Sequence, residues 1–331
     1  MNETPLYPLC FQPIFKDKIW GGNKIKTILG KDFSPLPNCG ETWEISGVKG
    51  DISVVKEGTL AGQPLTDIIS KYKGKLIGEQ VYQKFGTDFP LLVKFIDANE
   101  DLSIQVHPDD ALARLRHNSF GKTEMWYIFQ ADEGSSLITG FNRPLTKEIY
   151  QEYFQSGRIM EILNRESVTP DDVFFLPAGR VHTIGKGLLL AEIQQTSDIT
   201  YRIYDFDRRD DSGKLRDLHV EESLDAIDYR FYGEYKTSYP RKKNKAVNIA
   251  TSAYFSTQRI HADQPLNRDY SGIDSFVIYV CVGGTLRLKD NAGNELKMSK
   301  GDVCLLPAIT KAVELIPEGE YTLLEAWVPP T

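Results

Sequence analysis

One pattern occurs twice along this chain, and it constrains the fold more than any other feature. Residues 171–182 read DDVFFLPAGRVH and residues 301–312 read GDVCLLPAITKA, so each copy has an acid, four apolar residues, proline and alanine. Residues 125–137 and 276–288 share a second pattern, two apolar runs joined by a turn. Because both patterns recur in the same order, the sequence predicts two copies of one β-rich unit. The second copy has Ala312 where the first has His182, so only the first copy is expected to support chemistry.

Short apolar or alternating runs make up most of the remaining chain, and they end at Gly, Pro, Asp or Asn. Examples are FPLLVKFID at 89–97, ITYRIYDFD at 199–207 and SFVIYVCVGG at 275–284. Such runs are typical of strands in an antiparallel sandwich or barrel. Helical spacing of apolar residues predicts a few helices, at 64–76, 108–118, 145–165 and 219–228. The sequence therefore predicts a mainly β protein with small helical additions.

A polar, charge-rich stretch, SYPRKKNKA at 238–246, precedes a new series of strands. A composition shift of this kind is expected where one domain ends and the next begins. We therefore predict a first domain at residues 1–235, with helical insertions, and a C-terminal domain at residues 240–331. A chain of 331 residues is long enough for two such domains.

The formal net charge of −7 argues against a nucleic-acid or anionic-membrane binder, because no excess of cations meets the phosphates. A small phosphorylated ligand needs only a few well-placed cations and is not excluded. The residues after Met1 lack a basic and apolar leader, and no apolar stretch is long enough to cross a membrane, so neither a signal peptide nor a membrane segment is expected. The four cysteines form no CxxC pair, which favours reduced thiols in a cytoplasmic protein.

The stretch DLSIQVH at 101–107 alternates apolar and polar residues. On a β-strand, alternate side chains share a face, so Ser103, Gln105 and His107 should point in the same direction. An apolar face on the other side of the strand would pack in a core. Three polar groups in a row on one face indicate a site rather than a simple solvent-facing surface.

Three further polar residues complete a candidate metal site. Lys122 and Glu124 lie two residues apart on the predicted strand of GKTEMWYIF, and His182 follows a Pro-Ala-Gly turn. With Gln105 and His107, these stretches supply two imidazoles, one carboxylate and one amide oxygen. That donor set could bind Zn²⁺, or Mn²⁺ or Fe²⁺.

The spacing around His182 resembles a motif of the cupin barrel, G-x5-P-x-G-x2-H. Asp171, Pro177, Gly179 and His182 fit that frame, with Asp in place of its first glycine. The other cupin motif has H-x-H followed by a glutamate, and here Gln105 stands in place of its first histidine. The resemblance implies two cupin (jelly-roll) β-barrels, with metal ligands in the first only.

Longer motifs resemble those of a known enzyme family. They are WGG (20–22), GETWEIS (40–46), FPLLVKFIDANEDLSIQVHPDD (89–110), GKTEMWYI (121–128), PAGRVHTIGKG (177–187) and EIQQTSDITYRIYDFDR (192–208). These strings are similar to those of the type I phosphomannose isomerases in their short bacterial form. The resemblance covers most of the first two-thirds of the chain. It implies a metal-dependent aldose–ketose isomerase that interconverts mannose 6-phosphate and fructose 6-phosphate through an enediol.

The same resemblance implies a role for each matching residue. It implies one zinc ion per chain, bound by Gln105, His107, Glu124 and His182. It implies substrate or phosphate contacts from Ser103 and Lys122 and a catalytic arginine at Arg202. Glu192 lies close to the position of an active-site glutamate of the family.

The reaction gives a physical reason for these residue types. A proton next to a carbonyl is only weakly acidic, so the negative charge of the developing enediolate has to be stabilised, which a Lewis-acidic metal does. A neutral amide at Gln105 leaves the site more positive than a second carboxylate would. Arg202 keeps its charge at any working pH and can stabilise the enediolate. The base that moves the proton stays open among Lys122 with a lowered pKa, Glu192 and a water on the metal.

Structural interpretations stand beside the functional ones. His107 and His182 could be core histidines, Ser103 a satisfied hydroxyl, and Lys122 and Glu124 a plain ion pair. Arg202 could belong to a salt-bridge cluster with Asp205, Asp207 and Arg208. For the whole chain, the alternatives are a non-catalytic sugar-phosphate-binding cupin and an isomerase of another sugar or sugar phosphate.

Overall fold

A computed structural model describes residues 4–209 and 213–330. The protein is mainly β, with 37% strand and 15% helix. The strands are β1 (Ile14–Lys16), β2 (Glu41–Ile45), β3 (Leu91–Ala98), β4 (Ile104–Val106), β5 (Glu124–Ala131), β6 (Ser136–Phe141), β7 (Leu163–Ser167), β8 (Val173–Leu176), β9 (His182–Ile184), β10 (Leu188–Gln195), β11 (Tyr201–Tyr204), β12 (Lys245–Thr251), β13 (Ser256–Ala262), β14 (Leu266–Asp269), β15 (Val277–Gly283), β16 (Thr285–Asp290), β17 (Glu295–Ser299), β18 (Val303–Leu306), β19 (Ala312–Pro317) and β20 (Tyr321–Trp327). The helices are α1 (Lys24–Thr27), α2 (Leu65–Tyr72), α3 (Gly74–Ile77), α4 (Glu79–Phe85), α5 (Asp110–His117), α6 (Lys147–Gln155) and α7 (Val220–Ala226).

The described residues form two compact units. The first unit contains residues 15–42, 94–209 and 213–237. The second unit contains residues 4–14, 43–93 and 238–330, so two N-terminal segments group with the C-terminal strands. The domains predicted from the sequence, 1–235 and 240–331, place both N-terminal segments in the first domain instead. These domain bounds stay a prediction.

Most residues of two sheets lie in the first unit. Their strand orders are β1-β2-β3-β10-β5-β8 and β11-β4-β9-β6-β7. Trp126 and Leu190 from the first sheet belong to the same buried apolar cluster as Leu137 and Ile184 from the second sheet. The two sheets therefore face one another, and alternate side chains of each strand point into the space between them.

The alternation of DLSIQVH follows from the position of β4. Ile104 and Val106 pack outside the pair of sheets, in a buried cluster that includes Tyr150 of α6 and Leu224 of α7. The polar residues of the same stretch point the other way, between the two sheets. Both faces of β4 are thus covered, one by helices and one by the opposite sheet.

The second unit repeats the strand order of the first. Its sheets have the orders β12-β13-β20-β15-β18 and β14-β19-β16-β17, and a buried cluster with residues from both lies between them. The strand order β13-β20-β15-β18 corresponds to β3-β10-β5-β8 of the first unit. The order β14-β19-β16-β17 likewise corresponds to β4-β9-β6-β7. The carboxylates of Asp172 and Asp302 also accept the same hydrogen bond, from the backbone N–H three residues earlier, at 2.8 and 2.7 Å. The repeat predicted from the sequence is confirmed at the level of strand order.

The structure corrects one detail of that repeat. His182 opens β9 and is buried, whereas Ala312, its counterpart in the sequence pattern, opens β19 and is exposed. The buried residue at that end of β19 is Val313, which packs in the core of the second unit. The inward face of β19 is therefore offset by one residue, and an apolar side chain takes the place of the imidazole.

The predicted helix at 145–165 is wrong in its second half. Helix α6 ends at Gln155, a 3₁₀ turn covers Ile159–Glu161, and strand β7 begins at Leu163. Gly157 has a φ of 72°, a left-handed conformation that glycine adopts without steric cost and that ends the helix. The apolar residues beyond it continue the helical spacing only by coincidence.

The turn before β8 explains the aspartate in the cupin-like frame. Asp171 has a φ of 70°, and Gly301 has a φ of 94° at the corresponding turn of the second unit. Aspartate tolerates this left-handed conformation better than most residues. The hydroxyl of Tyr127 donates a hydrogen bond to Oδ1 of Asp171, which holds the turn.

A buried charged pair occupies the inside of the second unit. Arg268 of β14 donates two hydrogen bonds to the carboxylate of Glu325 on β20, one of them from Nε to Oε2 at 3.1 Å. The hydroxyl of Tyr270 donates a third, to Oε2 at 2.7 Å. Glu325 lies opposite Tyr279 in the β15–β20 pair, just as Glu192 lies opposite Trp126 in the β5–β10 pair. Each unit thus carries one buried glutamate at the same place in its sheet.

The cysteines and helices add two observations. All four cysteines are free, and three of them are buried. Within residues 4–209 and 213–330, every helix is too short or too polar to cross a membrane.

Candidate metal centre and active site

Three stretches of the first unit bring polar side chains together between its two sheets. His107 follows β4, Glu124 begins β5 and His182 begins β9. The ligand atoms of these three residues all lie within 4.8 Å of one another, and all three side chains are buried. Gln105 of β4 lies directly opposite His182 in the β4–β9 pair. The structure therefore brings together the four residues that the sequence predicts as metal ligands.

Backbone carbonyls orient both imidazoles. Nδ1 of His107 lies 2.8 Å from the carbonyl oxygen of Ile199, and Nδ1 of His182 lies 2.8 Å from that of Arg180. Because a carbonyl only accepts, each Nδ1 carries the proton and each Nε2 presents a lone pair to the cluster. Burial lowers the pKa of His182 to about 4 and lowers that of His107 as well, so both rings are neutral. Metal-binding histidines in proteins have this arrangement.

Glu124 is the carboxylate of the cluster. Its oxygens lie 3.5 Å from Nε2 of His107 and 3.4 Å from Nε2 of His182, both of which are acceptors rather than donors. Oε2 pairs with Nζ of Lys122 at 2.7 Å, whereas Oε1 accepts no hydrogen bond of good geometry from a described residue. Burial and the nearby charge of Glu192 raise the pKa of Glu124 to about 7. A buried carboxylate that faces two imidazole lone pairs is a donor set that fits a cation.

The amide of Gln105 completes the set. Its Nε2 lies 3.3 Å from Nε2 of His182, and its Oε1 accepts a hydrogen bond from the Ser103 hydroxyl at 3.4 Å. A half-turn of the amide exchanges its oxygen and nitrogen, so the side chain can offer either atom to the cluster. Two imidazole nitrogens, one carboxylate and one amide oxygen form a donor set that suits zinc and neighbouring divalent metals.

Lys122 lies against the cluster and is charged. Its Nζ is 2.7 Å from Oε2 of Glu124, 3.0 Å from Nε2 of His107 and 3.9 Å from Oε1 of Glu192. Burial alone would lower the pKa of Lys122, but the charges of Glu124 and Glu192 outweigh it and raise that pKa above its ordinary value.

Glu192 is buried beside the same lysine. Trp126 donates a hydrogen bond from Nε1 to Oε2 of Glu192 at 2.8 Å, while Oε1 accepts none of good geometry. Burial would raise the pKa of Glu192, but Lys122, Lys94 and the Trp126 hydrogen bond lower it overall. Glu192 is therefore an ionised carboxylate with one oxygen held and the other available.

Lys94 is a site residue that the sequence reasoning missed. It is buried in the middle of β3, with Nζ 3.5 Å from Oε1 of Glu192 and 3.7 Å from Oε2 of Glu41. The signal was present, because a lysine inside the apolar run FPLLVKFI is out of place in a plain core strand.

Gln195 was also missed, and it holds the segment that carries Lys122 and Glu124. Its Oε1 accepts a hydrogen bond from the N–H of Thr123 at 2.9 Å, and its Nε2 donates to Oδ1 of Asp110 at 3.0 Å. The backbone of Gln195 donates a further hydrogen bond to the carbonyl of Thr123 at 3.1 Å. A glutamine at the end of an apolar strand gives no sequence signal of such a clamp.

Arg202 lies beside the cluster rather than inside it. It is directly opposite Gln105 in the β4–β11 pair, so the two side chains leave the sheet on the same face. Its Nη1 donates a hydrogen bond to the backbone carbonyl of Asp217 at 2.7 Å. The alternative interpretation of Arg202, as a member of a salt-bridge cluster with Asp205, predicts an ion pair between the two. Asp205 binds Arg208 and Arg216 instead.

Comparison with known proteins gives one consistent result. Residues 9–134 match the family described as phosphomannose isomerase type I, catalytic domain. The mannose-6-phosphate isomerase of Streptococcus mutans is 42% identical over 66% of this chain and 67% of its own length. The probable mannose-6-phosphate isomerase GmuF of Bacillus subtilis is 36% identical over 91% of this chain and 94% of its own length. Among solved structures, the mannose 6-phosphate isomerase of Bacillus subtilis superposes with a TM-score of 0.86, at 31% identity, over 96% of this chain and 99% of the other.

Proposed function

The chain belongs to the type I phosphomannose isomerases, and on this premise we propose that it interconverts mannose 6-phosphate and fructose 6-phosphate. One observation carries the proposal: the buried cluster of His107, Glu124 and His182 adjoins an ionised carboxylate, Glu192, and a charged lysine, Lys122. Moving a proton between two adjacent carbons needs a base and a stabiliser of negative charge, and this cluster supplies both.

Gln105, His107, Glu124 and His182 would hold one Zn²⁺ per chain. Bound there, the ion would supply a Lewis acid that stabilises the negative charge of the enediolate. Zinc is proposed because nitrogen and oxygen donors in a group of four are typical of its sites. Inductively coupled plasma analysis of the purified protein tests the identity and the stoichiometry of the metal.

Glu192 is the proposed proton-transfer base. Its Oε1, which accepts no hydrogen bond of good geometry, takes the proton from C2 of the open-chain sugar and returns it to C1, while the hydroxyl proton on O2 moves to O1. The two lysines within 4 Å of that oxygen keep the carboxylate ionised at neutral pH. Burial of the carboxylate keeps bulk water from exchanging the proton during the transfer.

Three cationic or polar side chains would bind the substrate. Arg202 stabilises the enediolate, because a guanidinium keeps its proton throughout the reaction. Lys122 and Ser103 contact the substrate or its phosphate. Lys122 is already neutralised in part by Glu124, at 2.7 Å, so its contribution to phosphate binding is smaller than that of a free lysine.

The fold proposal is two cupin barrels, of which only the first binds metal. The repeated strand order of the two units supports it, as does the valine that replaces the second imidazole. The free cysteines agree with the proposed cytoplasmic location. The proposed partner is a small sugar phosphate.

A coupled assay that follows fructose 6-phosphate formation from mannose 6-phosphate tests the function. We expect turnover that is lost after dialysis against a chelator and restored by Zn²⁺. The same assay with free mannose and with other aldose phosphates identifies a different sugar specificity. Binding of mannose 6-phosphate without turnover, in protein with a full metal complement, would favour a non-catalytic binding protein and overturn the proposal.

A further inference from the structure

Two arginines bind one buried carboxylate beside the proposed active site, and a third arginine lies near enough to feel its charge. Asp205 accepts hydrogen bonds from Arg216 at 2.5 and 2.6 Å, in a bidentate pair, and from Nη2 of Arg208 at 2.5 Å. The side chain of Asp205 is almost fully buried. Arg202 is the third arginine of this cluster, although Asp205 does not bind it directly.

Residues 216–219 connect Asp205 to Arg202. Arg216 precedes Asp217, whose backbone carbonyl accepts the hydrogen bond from Nη1 of Arg202 at 2.7 Å. Two residues later, the N–H of His219 donates to the carbonyl of Arg202 at 2.7 Å, and Nδ1 of His219 accepts from the N–H of Arg202 at 3.2 Å. This short segment therefore holds both the backbone and the guanidinium of Arg202.

Arg208 extends the same network to β4. Its Nη1 donates a hydrogen bond to the backbone carbonyl of Asp101, two residues before Ser103. One carboxylate thus links the loop after β11 to the start of the strand that carries Ser103 and Gln105. Strand β11, which carries Arg202, and strand β4 are both parts of the proposed active site.

The backbone next to Asp205 supports a constrained loop. Phe206 and Asp207 have φ values of 56° and 54°, two consecutive left-handed residues without a glycine. Such residues keep this conformation only where the surrounding contacts hold it. Asp205 and its two arginines provide those contacts on one side of the turn.

The charges explain why a carboxylate is required. Arg202, Arg208 and Arg216 would repel one another if no negative charge lay among them. Burial and the charge of Arg216 lower the pKa of Arg202, whereas Asp205 opposes them. An uncharged side chain of the same size would remove the carboxylate that binds Arg208 and Arg216. Three partly buried guanidinium groups would then lie close together without that negative charge.

We propose that Asp205 is a positioning residue for Arg202: it folds residues 205–209 and 216–219 around the strand end and so places the guanidinium that stabilises the enediolate. This inference rests on the proposed function. Asp205 itself does not contact the reacting atoms.

The test compares Asp205→Asn and Asp205→Ala with Asp172→Asn. Asp172 is an equally buried carboxylate of the same unit that holds a different turn, through Thr169 and Lys236. We expect both Asp205 variants to lose about tenfold or more in kcat, with KM changed less than about threefold, because the lost interaction acts in the transition state. Asp172→Asn should keep kcat within about twofold.

A chemical rescue separates positioning from general stability. Formate can occupy the space left by Asp205→Ala and pair with the two arginines. We expect formate to raise kcat of this variant at least about fivefold, while the same concentration of chloride has no effect. A fall in kcat that formate leaves unchanged, in a protein with unaltered melting temperature, would overturn the positioning role.

Arg202→Lys distinguishes failure of this inference from failure of the proposed function. If Arg202→Lys loses activity and Asp205→Asn does not, only the role of Asp205 is wrong. If the unaltered chain fails to isomerise mannose 6-phosphate, the proposed function is wrong. If the unaltered chain is active and Arg202→Lys is fully active as well, only the role of Arg202 is wrong, and the positioning inference falls with it.

Discussion

At the scale of single residues, the site depends on pairs of ionisable groups whose environments move their pKa values in opposite directions. The pKa of Glu124 is raised by burial and by Glu192, whereas that of Glu192 is lowered by two lysines and by Trp126. Two carboxylates a short distance apart therefore have different tasks. This difference agrees with the proposed roles of Glu124 as a metal ligand and of Glu192 as the base.

Replacement of Glu192 by glutamine should remove the base and leave the metal cluster in place. We expect kcat to fall by about 100-fold or more, because general base catalysis contributes that much in comparable enzymes. The coupled assay measures kcat, and elemental analysis measures the metal content. A variant with normal metal content and near-normal kcat would show that another group moves the proton.

Trp126→Phe should change the pH dependence instead. The indole N–H lowers the pKa of Glu192, so its removal raises that pKa. Since the carboxylate must be ionised to act as a base, the acidic limb of kcat/KM should move to higher pH, by about one pH unit. A pH profile from pH 4 to 9 checks this, and an acidic limb that stays in place or moves to lower pH would contradict it.

At the scale of elements, Gln195 at the end of β10 holds the backbone next to Glu124, a proposed metal ligand. Gln195 binds the backbone on both sides of Thr123, between Lys122 and Glu124. Outer residues of this kind orient the groups that bind a metal.

Gln195→Ala should therefore weaken metal binding by about 10- to 100-fold, the usual effect of losing such a contact. Competition with a fluorescent zinc chelator measures the affinity directly, without reference to turnover. Gln130→Ala is the control, because Gln130 lies on β5 and its amide binds Asp132, away from the cluster. Equal affinities of the two variants would show that the clamp has no influence on the ligand.

The sequence predicts elements correctly where the alternation of apolar and polar side chains decides the structure. Its predictions are wrong or missing where backbone conformation or a backbone hydrogen bond decides it. The polar face of β4 and the inward position of His182 follow from the spacing of two on strands and from a turn motif. The helix at 145–165 was overextended, because the apolar spacing continues past Gly157. The offset that replaces His182 by Val313 is invisible in the pattern, since the two loops have the same length. The link from Asp205 to Arg202 passes through a backbone carbonyl, which has no sequence signature.

At the scale of the whole molecule, the two units surround their buried glutamates with different cations. In the first unit, Lys94 and Lys122 lie within 4 Å of Glu192, whereas in the second unit Arg268 binds Glu325. An arginine is a permanent cation, so Glu325 keeps a charged partner at any working pH.

Arg268→Met should destabilise the protein without changing its metal content. Loss of the guanidinium leaves the buried carboxylate of Glu325 without its cation, which costs about 3 to 5 kcal/mol in comparable buried pairs. Urea unfolding followed by tryptophan fluorescence measures the loss, and elemental analysis confirms the metal content. The double variant Arg268→Met/Glu325→Leu should recover part of the stability, because it removes the unpaired charge as well. No difference between the single and the double variant would contradict this account.

The carbonyls of Ile199 and Arg180 have a consequence for the order of events in metal binding. They lie in the loops just before β9 and β11 and orient both imidazole rings through the main chain, so the fold itself sets the direction of each ring. The folded chain can thus orient both imidazoles before a metal ion binds.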